Sequence, residues 1–200
     1  MASHKVVSRD EWIEARKRFL LKEKEFTRLR DRLSQQRRDR PWEAVDRAYV
    51  FEGPDGKQTL TDLFDGRSQL IVYHSMFGPD WEAGCPHRSH WADNFNGIIV
   101  HLKQRDMTMI AISRAPSAKL AAYKKRTGWN FNRISSFETD FNFDSRVSST
   151  PEAVTGKDAF YNFAMQDPCS PEREESAFST RTLRAACSTP IQPMRVGPTC

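Results

Sequence analysis

Two apolar runs on either side of a helical pattern constrain the fold of this chain more than any other feature. The runs are QLIVYHS at 69–75 and MTMIAIS at 107–113, and each suits a strand that is covered on both faces. Between them, residues 86 to about 104 repeat apolar side chains at helical spacing. A strand, a helix and a second strand of these lengths predict a right-handed crossover that joins two parallel strands.

The neighbouring segments continue this alternation on both sides. A turn at 53–56, GPDG, separates two β-like pieces before the first buried strand. A helix from about Ser117 to Arg126 and a short strand near 133–136 follow the second. The pattern predicts one α/β domain over residues 41–166.

A long helix is predicted ahead of this domain, over residues 5–40. Ser8 and Glu11 have capping-box spacing, and neither Gly nor Pro occurs from there until Pro41. Apolar residues recur along it at intervals of three, four and seven, which makes an amphipathic stripe. The stripe predicts docking on the body of the domain or formation of a homodimer with a second copy. Its members are Trp12, Ala15, Phe19, Phe26, Leu29 and Leu33.

The net charge of +5 lies entirely in this helix, where residues 9–40 hold 12 Lys/Arg and 7 Asp/Glu. Acidic residues interrupt the basic face, so no nucleic-acid partner is expected. No apolar run approaches the roughly 18 residues of a membrane span, and the start resembles no signal peptide. We therefore expect a cytoplasmic protein without a membrane partner, and no motif predicts a metal or a cofactor.

Cys85 lies at a position where α/β folds commonly place catalytic and ligand-binding residues. Cys85 stands in FGPDWEAGCPHRSHW, after the predicted central strand and before a helix that Pro86 suits as its first residue. A helix N-terminus favours an anion, and therefore a thiolate. His87 and Arg88 lie within one turn and add positive charge. A buried structural cysteine is the alternative interpretation.

The chain resembles the bacterial thioredoxin-like family catalogued as domain of unknown function 899. The resemblance covers about residues 5–166 and implies a thioredoxin-like fold and, by analogy, a dithiol–disulfide oxidoreductase that acts on a thiol or disulfide substrate. The phrases that carry it include RDRPW, YVFEGPDGKQTLTDLFDGRSQLIVYHSMFGPDWEAGCP, SHWADNF, SRAPSAKLAAYKKRTGW, DFNFD and YNFAMQ.

The chain departs from that family at the site. Relatives typically read Cys-Pro-x-Cys-Ser, whereas this chain has Arg88 in place of the second cysteine. In a dithiol site the first thiolate attacks a substrate disulfide and the second thiol releases the mixed disulfide. The resemblance therefore implies a catalytic set of Cys85, Pro86, His87 and Arg88 that is either monothiol or inactive.

Three other functions stay open from the sequence. Cys85, His87 and His90 with His74 could bind zinc, although their spacing matches no standard finger. A one-cysteine peroxidase is a second alternative, but Glu82 stands three residues before the cysteine, where peroxiredoxins have Thr. A non-catalytic scaffold or interaction protein that uses the long helix is the third.

Residues 167–200 show neither the two-residue period of a strand nor the 3.6-residue period of a helix, and they are rich in Pro, Ser, Thr and Arg. We interpret them as an aberrant or disordered tail that leaves the sheet incomplete at its C-terminal hairpin. Permitted codons from Ala177 onward, read in a shifted frame, spell VLYKDAAGRVFHTYSTYARG, which resembles the missing strands of the family. Cys169, Cys187 and Cys200 therefore carry little functional meaning.

Overall fold

A computed structural model gives the structure of residues 4–41, 44–161, 164–168, 170–172, 175–180 and 191–194. The chain divides into two compact units, Met1–Pro41 and Trp42–Cys200. Among the residues that the structure describes, no helix is both long and apolar enough to cross a membrane.

The helices of the described residues are α1 (Arg9–Arg38), α2 (Pro86–Ala92), α3 (Ile99–Lys103), α4 (Ser117–Thr127), α5 (Phe141–Asp144) and α6 (Pro151–Thr155), with a 3-10 turn at Asp62–Phe64. The strands are β1 (Val50–Gly53), β2 (Gly56–Thr59), β3 (Gln69–His74), β4 (Met107–Ser113), β5 (Asn132–Ser135), β6 (Ala159–Tyr161), β7 (Ala164–Gln166), β8 (Glu175–Thr180) and β9 (Ile191–Met194).

The first unit contains the predicted long helix, α1, and the capping box that the sequence predicts at its N-terminus is formed. The amide of Glu11 donates to the Ser8 hydroxyl at 3.3 Å, and the amide of Ser8 donates to the Glu11 carboxylate at 3.0 Å. This reciprocal capping box satisfies backbone donors that the first turn leaves without partners. None of the helix residues is buried, and pairing with a second copy stays a prediction.

The second unit is built on a mixed sheet in the order β2-β1-β5-β4-β3-β8-β9. The two predicted buried strands, β3 and β4, are parallel, with Gln69 opposite Met107 and His74 opposite Ile112. β5 extends the parallel part, and the β1–β2 hairpin closes that edge. The α/β prediction is confirmed, and the crossover from β3 to β4 brings the start of α2 to the carboxyl end of β3.

Alternation along the strands sends side chains to two cores, one on each face of the sheet. In β3, Leu70 and Val72 join one core and Tyr73 the other. In β4, Ile112 and Ala111 divide in the same way. This period of two decides which residues can reach Cys85, because only the core of Tyr73 contains residues of α2 and α4.

The helix after the cysteine is shorter than predicted. The pattern at 86–104 forms two helices, α2 and α3, with turns at 93–98 between them. Gly97 lies in this break and lacks the helical preference of the residues around it. Trp91 and Ile98, two apolar residues of this segment, are 52% and 43% exposed.

The prediction that the sheet lacks its last hairpin is wrong. β8 pairs antiparallel with β3, from Gln69 opposite Thr180 to His74 opposite Glu175, and β9 pairs with β8. The physical reason is that β3 is covered on both faces, so a bare backbone edge would leave donors and acceptors without partners. Cys169, Cys187, Cys200 and 181–190 lie outside the described residues.

The reading-frame prediction is separate from the fold and stays a prediction. We expect the gene to carry a one-base insertion or deletion just before the codon of Ala177, because a shifted frame permits a strand pair of the kind that the sheet uses here. Sequencing the gene tests it. A shifted frame that does not read close to VLYKDAAGRVFHTYSTYARG would contradict the prediction.

Candidate functional site

Cys85 occupies the N-cap of α2, directly before Pro86 in the first helical position. Its amide donates to the carbonyl of Met76 at 2.9 Å, and its own carbonyl accepts from the amide of Ser89 at 2.9 Å. The thiol is free and partly exposed. The backbone of Cys85 is thus fixed on both sides at the start of the helix.

The loop before Cys85 is held against α4. The Lys119 ammonium donates to the carbonyls of Pro79 and Trp81 at 3.0 and 3.1 Å. Gly84 passes so close to the Tyr123 ring that a Cβ at this position would lie 3.3 Å from a ring carbon. Since a side chain at 84 would push the loop away from α4, the glycine sets the position of the next residue, Cys85.

A small cavity opens beside the thiol on the α2 face of the sheet. The Ser89 and Tyr123 hydroxyls lie 2.7 Å apart in its wall, and the Tyr73 hydroxyl donates to the carbonyl of Arg88 at 3.2 Å. These bonds tie α2 to both β3 and α4. The residues that line the cavity are Tyr73, Ser75, Met76, Gly84, Cys85, Arg88, Ser89, Ala92, Ala111, Tyr123, Trp129 and Arg133.

Of the residues predicted for the site, the structure brings Cys85 and Arg88 to one cavity. Pro86 and His87 are exposed and do not line it. Pro86 nevertheless has the expected position, since a proline in the first helical position lacks only a donor that the helix leaves unbonded. The grouping of all four residues around the sulfur is therefore only partly reproduced.

Arg133 is the site residue that the sequence did not predict. It lies in β5, opposite Ala111 of β4, and its side chain lines the cavity. Burial lowers the pKa of its guanidinium to about 10, so the group stays charged at neutral pH. A charged residue inside a buried strand was the available signal, because such residues are rare without a partner.

The zinc alternative does not fit the described residues. His74 is buried on the opposite face of the sheet, where its ring stacks on Phe141 with centroids 5.5 Å apart. His87 and His90 are exposed on α2. Tyr73 faces the cavity, so the next residue along β3 must face away from Cys85. In the described part of the chain, no three His, Cys, Asp or Glu side chains gather to hold a metal.

The peroxidase alternative would need a polar side chain three residues before the cysteine. Glu82 occupies that position, its side chain is 96% exposed, and it approaches Lys119 only at 4.0 Å. The structure therefore gives Cys85 no hydroxyl partner from this position of the loop.

Comparison with solved structures gives the fold. The bacterioferritin comigratory protein of Xanthomonas campestris, whose structure concerns alkyl peroxide reduction, superimposes with a TM-score of 0.53 at 11% identity over 76% of this chain and 87% of its own. A cysteine-to-serine mutant of PrxQ from Xylella fastidiosa gives 0.54 at 12% identity over 80% and 88%. At such identities the likeness establishes a thioredoxin-like fold and nothing about activity.

No curated protein matches the chain. The family resemblance seen in the sequence extends further than predicted, because a family model matches residues 1–183. The chain belongs to the family described as "Bacterial protein of unknown function (DUF899)".

Proposed function

We propose that this protein is a monothiol redox protein in which Cys85 exchanges with disulfides. The observation that carries the proposal is the position of Cys85. This partly exposed residue is the N-cap of α2, and it lines a cavity that the buried Arg133 side chain also lines. Amide groups at a helix start and a nearby positive charge both favour the thiolate, which is the reactive form.

The exchange needs one cysteine and two external sulfur compounds. The Cys85 sulfur attacks one sulfur of a substrate disulfide, the substrate S–S bond breaks, and the other half leaves as a thiolate. Cys85 then carries a mixed disulfide. Because position 88 holds Arg instead of Cys, an external thiol must attack the substrate sulfur of the mixed disulfide to release Cys85 as its thiolate.

The neighbours of Cys85 supply the supporting roles in this proposal. Pro86 begins the helix, and Arg88 and His87 add positive charge on its first turn. Arg88 lines the cavity itself, whereas His87 is exposed and does not line it. We therefore assign the larger share of the thiolate stabilisation to Arg88.

We expect Cys85 to be alkylated by iodoacetamide at pH 7 several-fold faster in the folded chain than in the chain unfolded by urea, because only the fold provides the helix start. The experiment uses a single-thiol chain in which Cys169, Cys187 and Cys200 are replaced by Ser, and mass spectrometry follows the labelling. Adding Cys85→Ser must abolish the labelling.

The same experiment separates the redox proposal from the scaffold hypothesis. A protein that works only through its long helix has no need of a reactive thiol. Folded-state alkylation that is no faster than in urea would contradict the redox proposal.

A further inference from the structure

The Arg133 side chain is enclosed by aromatic rings. Its guanidinium carbon lies 5.8, 5.4 and 5.2 Å from the ring centroids of Phe77, Tyr123 and Trp129, and the residue is 6% exposed. One nitrogen, Nη2, donates to the Ser75 hydroxyl at 3.3 Å. The faces of these rings attract the positive charge of the guanidinium. They do not provide hydrogen-bond acceptors for its N–H groups.

Two of the three guanidinium nitrogens have no hydrogen-bond partner among the described residues. These are Nε and Nη1, and both are buried. Within the described part of the chain, Arg133 also forms no ion pair with a carboxylate. Buried donors of a charged group are costly when they remain unsatisfied, so a buried arginine of this kind is expected to meet an anion.

The cavity that Arg133 lines together with Cys85 is the space from which an anion would approach it. Arg88 is the second cation of its lining, and the other walls are formed by aromatic rings, Ala side chains, Met76 and hydroxyl groups. Hydrogen bonds between an ionised donor and an ionised acceptor are the strongest that such a cavity can supply.

We propose that Arg133 is an anion-binding residue for the substrate of Cys85, and that this substrate is a small thiol or disulfide with a carboxylate close to its sulfur. The inference rests on the proposed exchange function and adds the substrate class to it. A carboxylate is a compact, planar anion, and one of its oxygens can accept from an unpartnered guanidinium nitrogen.

Both steps balance with the acidic disulfide and the external thiol of the proposed exchange. With the carboxylate at Arg133, the Cys85 thiolate attacks the near sulfur of the acidic disulfide, one S–S bond forms, and the substrate S–S bond breaks. The departing half leaves as a reduced thiolate while the Cys85 sulfur is oxidised. The external thiol of the proposed exchange then attacks the substrate sulfur of the mixed disulfide, which forms a disulfide between that thiol and the bound half and returns the Cys85 thiolate.

Iodoacetate and iodoacetamide test this directly, because they have nearly the same shape and differ in a carboxylate. In the single-thiol chain we expect the ratio of the iodoacetate rate to the iodoacetamide rate to be roughly tenfold higher when folded than in urea, the effect of one hydrogen bond to a charged group. Arg133→Met should bring this ratio close to its value in urea, and Arg133→Lys should keep part of the preference.

Arg126→Met is the matched control. Arg126 also lies over the Tyr123 ring, at 4.6 Å, but it is exposed and does not line the cavity. Removing this second cation should leave the ratio unchanged. A ratio that Arg133→Met leaves as high as in the unsubstituted chain, or that Arg126→Met lowers equally, would overturn the proposal.

A measurement on the single-thiol chain without further substitution covers the case in which Arg133→Met does not fold. Added formate, a minimal carboxylate, should slow alkylation by iodoacetate more than alkylation by iodoacetamide, and equal slowing would contradict an anion site. The two proposals fail differently: slow iodoacetamide labelling rejects the exchange function, whereas fast labelling without carboxylate preference rejects only the substrate class.

Discussion

The Arg88→Cys substitution is expected to give the single-thiol chain an internal disulfide with Cys85. Position 88 is three residues after Cys85 in the first turn of α2, and residues at this spacing are neighbours on one helix face. Both positions line the same cavity, so the new thiol would face the same space as the old one. In the single-thiol chain without this substitution, Cys85 can form only mixed or intermolecular disulfides.

A second thiol at this position should also change the chemistry. It would attack the mixed disulfide on Cys85 and release the reduced substrate without an external thiol. We expect insulin reduction in the presence of dithiothreitol to rise at least about tenfold, because the release step becomes intramolecular. Thiol titration before and after oxidation, with mass spectrometry of the peptide that contains 85–88, measures the disulfide itself.

His87→Cys is the control for this experiment. It adds a thiol to the same turn, but residues two apart on a helix do not face each other, and position 87 lies outside the cavity. This variant should form no internal disulfide and gain no activity. If Arg88→Cys behaves like His87→Cys, the difference from a dithiol site is deeper than one residue, and the loop before α2 does not have the geometry of such a site.

The position of the thiol was predictable because it depends on local signals. The apolar run of β3 predicted the strand within one residue, and Pro86 marked the start of α2. Each signal acts within a few residues of the structure that it determines. The sequence was less informative about α2 and α3, because an apolar periodicity continues across the break at Gly97, while the backbone does not.

Arg133 could not be predicted as part of the same cavity as Cys85, since that placement depends on the order of the strands. The two residues are far apart in sequence and line one cavity because β3 and β5 lie on either side of β4. The face on which Arg133 lies follows from alternation: Ile134 joins the core on the other side, so Arg133 must point toward α2 and α4. Such a placement becomes visible only when the topology is known.

The same alternation gives His74 a large expected effect on stability. Its side chain is buried beside Phe141, and burial lowers the pKa of His74 to about 4, although a contact with the Asn142 side chain opposes the shift. Its Nδ1 atom has no hydrogen-bond partner among the described residues. The imidazole is therefore held neutral in the folded state, and protonation competes with folding.

The sign of the pH dependence follows from proton binding in the two states. Below its ordinary value of 6.5 the unfolded chain binds a proton at His74, whereas the folded chain does not until the pH reaches about 4. The free energy of unfolding should thus fall as the pH decreases from 6.5 to 4. A displacement of this size corresponds to a loss of about 3 kcal/mol from this one group.

Urea unfolding at a series of pH values between 4 and 7 measures this loss. His74→Phe keeps an aromatic ring against Phe141 and removes the titrating group, so its free energy of unfolding should vary less with pH than that of the unsubstituted chain. The difference between the two slopes isolates His74 from the carboxylates, which titrate in both chains. His87→Phe serves as a control, because His87 is exposed and should leave the slope unchanged. Equal slopes for His74→Phe and the unsubstituted chain would show that His74 becomes protonated without unfolding the protein, and that the core around Phe141 admits water.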